Sequence, residues 1–365
     1  MHTPLDLALA PPRAFGPSLG SASLRQSPED FRVDELLAFE ADGGSAHWLV
    51  CLEKRGVTTL AAVGALARYA GVSERDIGFA GFKDRHAVTS QHFTVPVRPP
   101  KAGPAPSWAP DALGEPFRVL SALPHARKLP RGALAGNRFT VVARGLADTV
   151  SRAAVDERLA LVAKRGVPNY FGEQRYGRGA SNLAAVEAWA AGGELPGRRE
   201  ERGFVLSAAR SLLFNAALAA RVEAGNWDVL LPGDLANLDG SRSRFKVTEL
   251  DDTLRERLAL FDIHPTGTLA GSGETGLLGE GAALEQAAWA ALPAPWGDVP
   301  AVLVAAGMEV DTRPLRLPVR ELSWQWGEDA AGAVLTLSFR LPAGGYATTV
   351  LRELFDTGYV AEDGG

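Results

Sequence analysis

Cysteine is almost missing from this sequence: among 365 residues it occurs once, as Cys51, inside the apolar run Trp48 to Leu52. A single thiol excludes an internal disulfide framework and a four-cysteine zinc site, and such usage fits a reducing cytoplasm. In its apolar setting Cys51 reads as a small buried hydrophobe. Long hydrophobic runs are missing as well. No stretch reads as the ~20 apolar residues of a membrane helix. The start, "MHTPLDLALAPPRAFGPSLG", lacks the basic beginning and long apolar region of a signal peptide. A soluble, cytoplasmic protein with no membrane attachment is expected.

Histidine is scarce, and the six present (2, 47, 86, 92, 125 and 264) show no helical H-x-x-x-H pairing. No metal site is expected from them. Nor is there a Walker loop, the H-x-E with P-C-x-x-C of zinc deaminases, or a G-x-S-x-G elbow. One nucleotide-binding match occurs, "GSGETG" at 271–276. Its fingerprint requires a strand before it and a helix starting at it, and "HPTGTLA" does not read as an apolar strand. A loop is expected there, which removes a nucleotide-dependent oxidoreductase from consideration.

What is present is a chain of 46% hydrophobic residues, ample for a large core and long enough for two domains. The net charge of −5 argues against a general nucleic-acid binder, whose domains tend to be basic. Positive charge is nonetheless clustered at "HARKLPRG" (125–132), "KRGVPNYFGEQRYGRG" (164–179) and "GRREER" (197–202). In the second cluster Tyr170, Phe171 and Tyr176 interleave with Arg165, Arg175 and Arg178. Arginines grip phosphates and rings receive unstacked bases, so this composition suits structured or single-stranded RNA.

Along the chain, residues 30–40 and 47–55 alternate as strands with one wet face, and 137–146 is a further strand. Residues 58–71 carry helical spacing from a threonine cap to Gly71. Seven prolines in 96–116 mark a long loop. From 151 the pattern turns helical, with segments at 151–166, 181–191, 205–224, 250–260 and 281–292; alternation returns at 322–354, which ends in one helix. The simplest architecture is α+β: a mixed-sheet domain made from both ends of the chain (1–155 and 315–365) and a mostly helical domain inserted between them (156–314).

Within this frame, "GFAGFKDRHAVTSQHFTV" (78–95) sets Asp84 between Lys83 and Arg85. An aspartate in a K-D-R run is commonly a surface turn residue. Here it follows an apolar run and a glycine turn, which delivers a side chain to the end of a sheet where sites collect. Its cationic neighbours keep a carboxylate ionised or receive phosphates beside it. Little other chemistry in the sequence competes with it.

"AGFKDRHAVTSQ" (80–91) resembles the G-x-K-D-x-x-A-x-T-x-Q signature of the D family of tRNA pseudouridine synthases. "SPEDFRVDE" (27–35), "GALAGNRFTVVAR" (132–144), "GVPNYFGEQRYG" (166–177), "LSAARSLLFN" (206–215) and "FRLPAGGYATTVLREL" (339–354) are similar to five further blocks of that family, in its order. Departures are small: Tyr176 replaces a common phenylalanine and Arg85 a frequent lysine. The resemblance implies the pseudouridine synthase mixed sheet with the inserted domain peculiar to this family. It also implies isomerisation of uridine to pseudouridine in tRNA, at uridine 13 of the D-arm, with tRNA(Glu) the expected substrate. No cofactor, metal or protein partner is implied, and a monomer is expected. By position, Asp84 is the essential aspartate and Phe139 the active-site phenylalanine, with Asn137 beside it.

Isomerisation must break the C1′–N1 bond, turn the uracil and join C1′ to C5. One carboxylate serves either as nucleophile or as the base that takes a sugar proton, and sequence does not choose between these. The target uridine must leave its stack, and Phe139 is expected to stack on it. Lys83 and Arg85 are expected to contact phosphate or to partner Asp84, Asn137 to orient Asp84 by a hydrogen bond, and Arg175 and Arg178 to hold the RNA backbone. A tRNA-binding protein that had lost catalysis would have no reason to keep the motif aspartate.

Overall fold

Strand β1 (Phe31–Leu36) buries Phe31, Val33 and Glu35 and leaves the residues between them half-buried, the pattern of its alternating sequence. Strand β2 is His47–Arg55. Helix α1 (Thr59–Ala70) begins where the Thr58 hydroxyl accepts the Ala61 amide and ends at Gly71, whose φ of 62° is a left-handed conformation that costs glycine little. β3 (Val88–Pro96), β4 (Phe117–His125) and β5 (Gly136–Leu146) follow, then β6 (Arg320–Asp329) and β7 (Gly332–Pro342) after the middle segment. These descriptions come from a computed structural model and cover residues 2–97, 106–147 and 149–357. Part of the proline-rich loop therefore lies outside the described residues.

The seven strands lie in one eight-stranded sheet in the order β6–β7–β5–β1–β3–β2–β4, the eighth being a two-residue strand beside β3. Its pairs are antiparallel except β1 with β3. β1 pairs only with residues 88–90 of β3, and the two-residue strand Gly78–Phe79 takes up the same side of β3 at residues 93–94. Residues 80–87 leave the sheet where one neighbour of β3 gives way to the other. Register then decides what lies beneath them. Lys54 is opposite Thr89, Thr89 beside Val33, Val33 opposite Phe139, Phe139 opposite Phe339, and Glu35 opposite Asn137. With side chains alternating at period two, all of these share one face. The apolar part of that face, Val50, Leu52, Phe93 and Val95, is covered by Ala62, Val63 and Leu66 of α1.

This sheet belongs to a unit of Gly20–Ser151 and Arg320–Gly345, with the short strand Asp356–Thr357. The second unit joins the chain up to Leu19, Arg152–Val319 and Tyr346–Phe355. Both terminal segments were expected with the sheet. They group instead with the middle segment because the Asn215 side chain donates to the Leu7 carbonyl (3.0 Å) and Tyr346 lies 3.4 Å from Arg175. The long helix of the second unit, Arg199–Glu223, is apolar and long enough to cross a membrane, contrary to the expectation that no stretch is. In the structure Leu212, Leu213, Phe214 and Leu218 are wholly buried, packed among Trp227, Trp296 and Val299.

The second unit also holds a small antiparallel sheet that no alternation announced, in the order 244–246, 235–238, 263–269, 311–314. Its strand Ile263–Leu269 reads "IHPTGTL", buried at six of seven positions although polar at three. Burial is made possible by pairing: His264 lies 2.8 Å from Asp239, and the Thr266 hydroxyl donates to the Leu235 carbonyl.

Candidate active site

The loop 80–87 is tied to the sheet and to α1 by the side chains of Gln91, Thr59 and Lys54. Gln91 donates to the Gly81 carbonyl at 2.6 Å, the Lys83 amide donates to the Thr59 hydroxyl at 3.0 Å, and that hydroxyl donates to Gln91. Beneath Asp84, the wholly buried Lys54 donates to the Asp84 carbonyl at 3.0 Å and to the Val57 carbonyl at 2.8 Å. Its pKa is pushed down to about 8, mainly by burial, against the pull of the Asp84 carboxylate.

The Asp84 side chain is 40% exposed, and Arg25 donates to its Oδ2 at 3.1 Å. Among the described residues no protein hydrogen bond occupies Oδ1. The Arg25 guanidinium also lies 4.0 Å above the Phe31 ring. Arg25 reaches this position with φ of 59°, a left-handed backbone that costs a non-glycine residue on the order of 1 kcal/mol. Such strain persists where contacts on both sides hold it, here Phe31 and Asp84.

Lys83 does not reach for solvent. Its ammonium lies 3.1 Å from Glu35 Oε1 and donates to Asn137 Oδ1 at 2.8 Å, with 6% of its side chain exposed and none of Glu35's. Against the expectation of a phosphate or Asp84 contact, Lys83 is a strut between loop, β1 and β5, and Asn137 accepts Lys83 instead of bonding to Asp84. Glu35 further accepts the His92 amide at 2.8 Å. Burial works against the Glu35 carboxylate, but His92 and Lys83 outweigh it and hold it below the usual carboxylate range. For His92 burial pulls the imidazole down, while Cys51 and Glu35 together raise it to about 9. Phe139 is 6% exposed, stacked on Phe339 at 5.5 Å and edge-on to Phe31 at 6.1 Å. It is a packed residue of the sheet face and not an open platform. Arg85 is exposed, and so is Phe82 at 67%.

The aromatic–basic cluster of the other unit is built differently from the expectation. Tyr170, Phe171 and Tyr176 are core residues, 2%, 7% and 0% exposed, because the buried Asn215 side chain satisfies the Phe171 backbone and faces the Tyr176 hydroxyl at 2.9 Å. They offer no surface to a base. Arg165 is bidentate with Asp228 at 2.7 and 2.9 Å, and Arg175 donates to Ser207 at 3.1 Å. Arg178 alone of these is exposed.

"GSGETG" is also corrected in its context. A strand, Ile263–Leu269, does precede it, and a helix follows at Gly279–Ala290. Yet the helix begins beyond Gly276, so the glycine amides are not its first turn. The loop lines a cavity of about 540 Å³ together with Glu274 and Glu285. Two carboxylates oppose a pyrophosphate.

Sequence reasoning missed Arg25, Glu35 and Lys54. Arg25 lies 59 positions from Asp84 and had no local signal. Glu35 and Lys54 did have one: each is a charge on the inward parity of an alternating strand, after Phe31 and Val33 and after Val50 and Leu52.

The fold is shared with a crystal structure from Methanosarcina mazei, provisionally assigned to tRNA pseudouridine synthase D. The likeness has a TM-score of 0.73 and 22% identity over 97% of this chain and 98% of that one. At the sequence level the family model "tRNA pseudouridine synthase D (TruD)" matches residues 18–195 and 198–354. Proteins named tRNA pseudouridine synthase D from Xanthomonas campestris pv. campestris (strain 8004) and Nitrosococcus oceani are each 44% identical, over 94% of both chains. The chain belongs to the tRNA pseudouridine synthase D family. Its reaction is isomerisation of uridine to pseudouridine in tRNA, and tRNA is its substrate.

Proposed function

We propose that Asp84 is the reacting carboxylate and that the target is uridine 13 in the D-arm of tRNA(Glu). The observation that carries this is the setting of Asp84. Its backbone is held by Lys54 and one carboxylate oxygen by Arg25, while the other oxygen has no protein partner among the described residues. A carboxylate so held is presented to a substrate with one oxygen open. From there it attacks C1′ as nucleophile, or removes a sugar proton as base, and either step releases uracil to turn. Arg25 balances the charge of the carboxylate. Phe139, Phe31 and Phe339 back the site from within the core, and Phe82 and Arg85 offer an open ring and a cation beside the loop.

Reactant and product contain the same atoms at the same oxidation level, so the reaction needs no electron carrier or group donor, and we propose that it runs without cofactor or metal. The enzyme acts as a monomer, without a protein partner, in the cytoplasm. Mapping pseudouridine in cellular tRNA with and without the gene tests the target. Loss confined to position 13 of tRNA(Glu) is expected, and loss at another position with 13 intact would overturn the assignment.

A further inference from the structure

We propose that Lys54 is a positioning residue for the isomerisation, fixing the Asp84 peptide so that the carboxylate points at the sugar. The inference rests on Asp84 as the reacting group. Lysine is seldom fully buried, and when it is, a carboxylate normally accompanies it. Lys54 is 0% exposed and its hydrogen-bond partners are two backbone carbonyls, those of Val57 and Asp84. Val57 immediately precedes the threonine cap of α1. One ammonium therefore ties β2, the entrance of α1 and the reactive loop together, and Arg25 holds the other end of residue 84.

The charged groups facing Lys54 are Asp84, which favours its protonation, and Lys83, which opposes it. From the neighbouring strands β3 places Thr89 opposite it and β4 places Phe117, both uncharged. Charge-assisted hydrogen bonds are roughly twice as strong as neutral ones. When the ammonium loses its proton, the loop is held by weaker bonds and Asp84 loses a neighbouring positive charge. A displacement of ~1 Å at a reacting group costs about a hundredfold in rate. The pKa of about 8 puts this change within reach of experiment.

The test is the single-turnover rate of tritium release from [5-³H]uracil tRNA at saturating enzyme, from pH 6.5 to 10. The parent rate is expected to fall at least tenfold through a midpoint near 8, with tRNA affinity unchanged. Lys54→Gln should lack that limb and run at least tenfold below the parent at pH 7. Lys54→Arg keeps a cation throughout and should also lack the limb. Stability moves the other way. Lys54 sheds its proton in the folded state at about 8 but at 10.5 when unfolded, so the parent gains stability relative to Lys54→Gln as pH rises through that window. Falling activity with rising relative stability separates positioning from mere folding. A parent rate flat to pH 10, or a limb that persists in either variant, would overturn the proposal. Should Lys54→Gln fail to fold, the parent profile and Lys54→Arg decide. If Asp84→Asn itself releases label, the catalytic role of Asp84 has failed instead.

Discussion

Replacing Glu35 by glutamine and Lys83 by methionine, singly and together, probes the strut that fixes the loop 80–87. The two charges are 3.1 Å apart with side chains 0% and 6% exposed. At that distance and an effective dielectric of 20 the attraction is about 5 kcal/mol, and breaking a buried pair from one side costs ~3–5 kcal/mol. The structure makes the two single changes unequal. Lys83→Met leaves Glu35 with His92 as partner, at a loss near ~3 kcal/mol. Glu35→Gln removes the charge facing both Lys83, which keeps only Asn137, and His92, so the loss should approach ~5 kcal/mol. In a unit of this size those values correspond to drops of roughly 6–12 °C and 10–20 °C in Tm. The double variant should be less destabilised than the sum, by about 2 kcal/mol or more. Differential scanning calorimetry of the four proteins reads this directly. Equal single losses, or losses under about 1 kcal/mol, would refute an interior pair shared with His92.

His92, raised from 6.5 to about 9, contributes stability that is full below pH 6.5 and lost as pH rises to 9. The loss is at most ~3 kcal/mol. His92→Gln should remove that slope, and a parent-to-variant difference in Tm that stays constant with pH would contradict it. Phe139→Ala should lose ~3–5 kcal/mol of stability because the ring is buried. Phe139→Leu is the cleaner probe, expected to fold, bind tRNA normally and isomerise more slowly; full activity would remove Phe139 from the proposed site. Arg178→Ala should weaken tRNA binding and flatten the dependence of log affinity on log salt. An unchanged slope would take Arg178 out of the RNA footprint.

Strands with one wet face were largely legible in the sequence, since Phe31–Leu36 alternates throughout, His47–Arg55 and Gly136–Leu146 alternate along their middles, and Thr58 and Gly71 cap α1. The strand Ile263–Leu269 was hidden because its buried positions carry His264, Thr266 and Thr268, whose polarity is met by partners far along the chain. The same limit governs the site. Asp84 stood out by its neighbours in sequence, but its clamp, Arg25 and Lys54, comes from segments 59 and 30 positions away. Local composition also misled. The rings of "NYFGEQRY" look like a base-stacking surface until Asn215, 39 residues beyond Tyr176, turns them inward.

In the proposed reaction the Asp84 carboxylate performs the isomerisation. Joining C1′ to C5 expels the hydrogen on C5, so tritium placed there passes to water as product forms. Asp84→Asn keeps the size and polarity of the side chain and removes its charge, nucleophilicity and basicity. The variant should fold, bind tRNA as the parent does and release essentially no tritium. Release at a rate near the parent's, from a folded and tRNA-bound variant, would contradict the assignment of Asp84 as the catalyst.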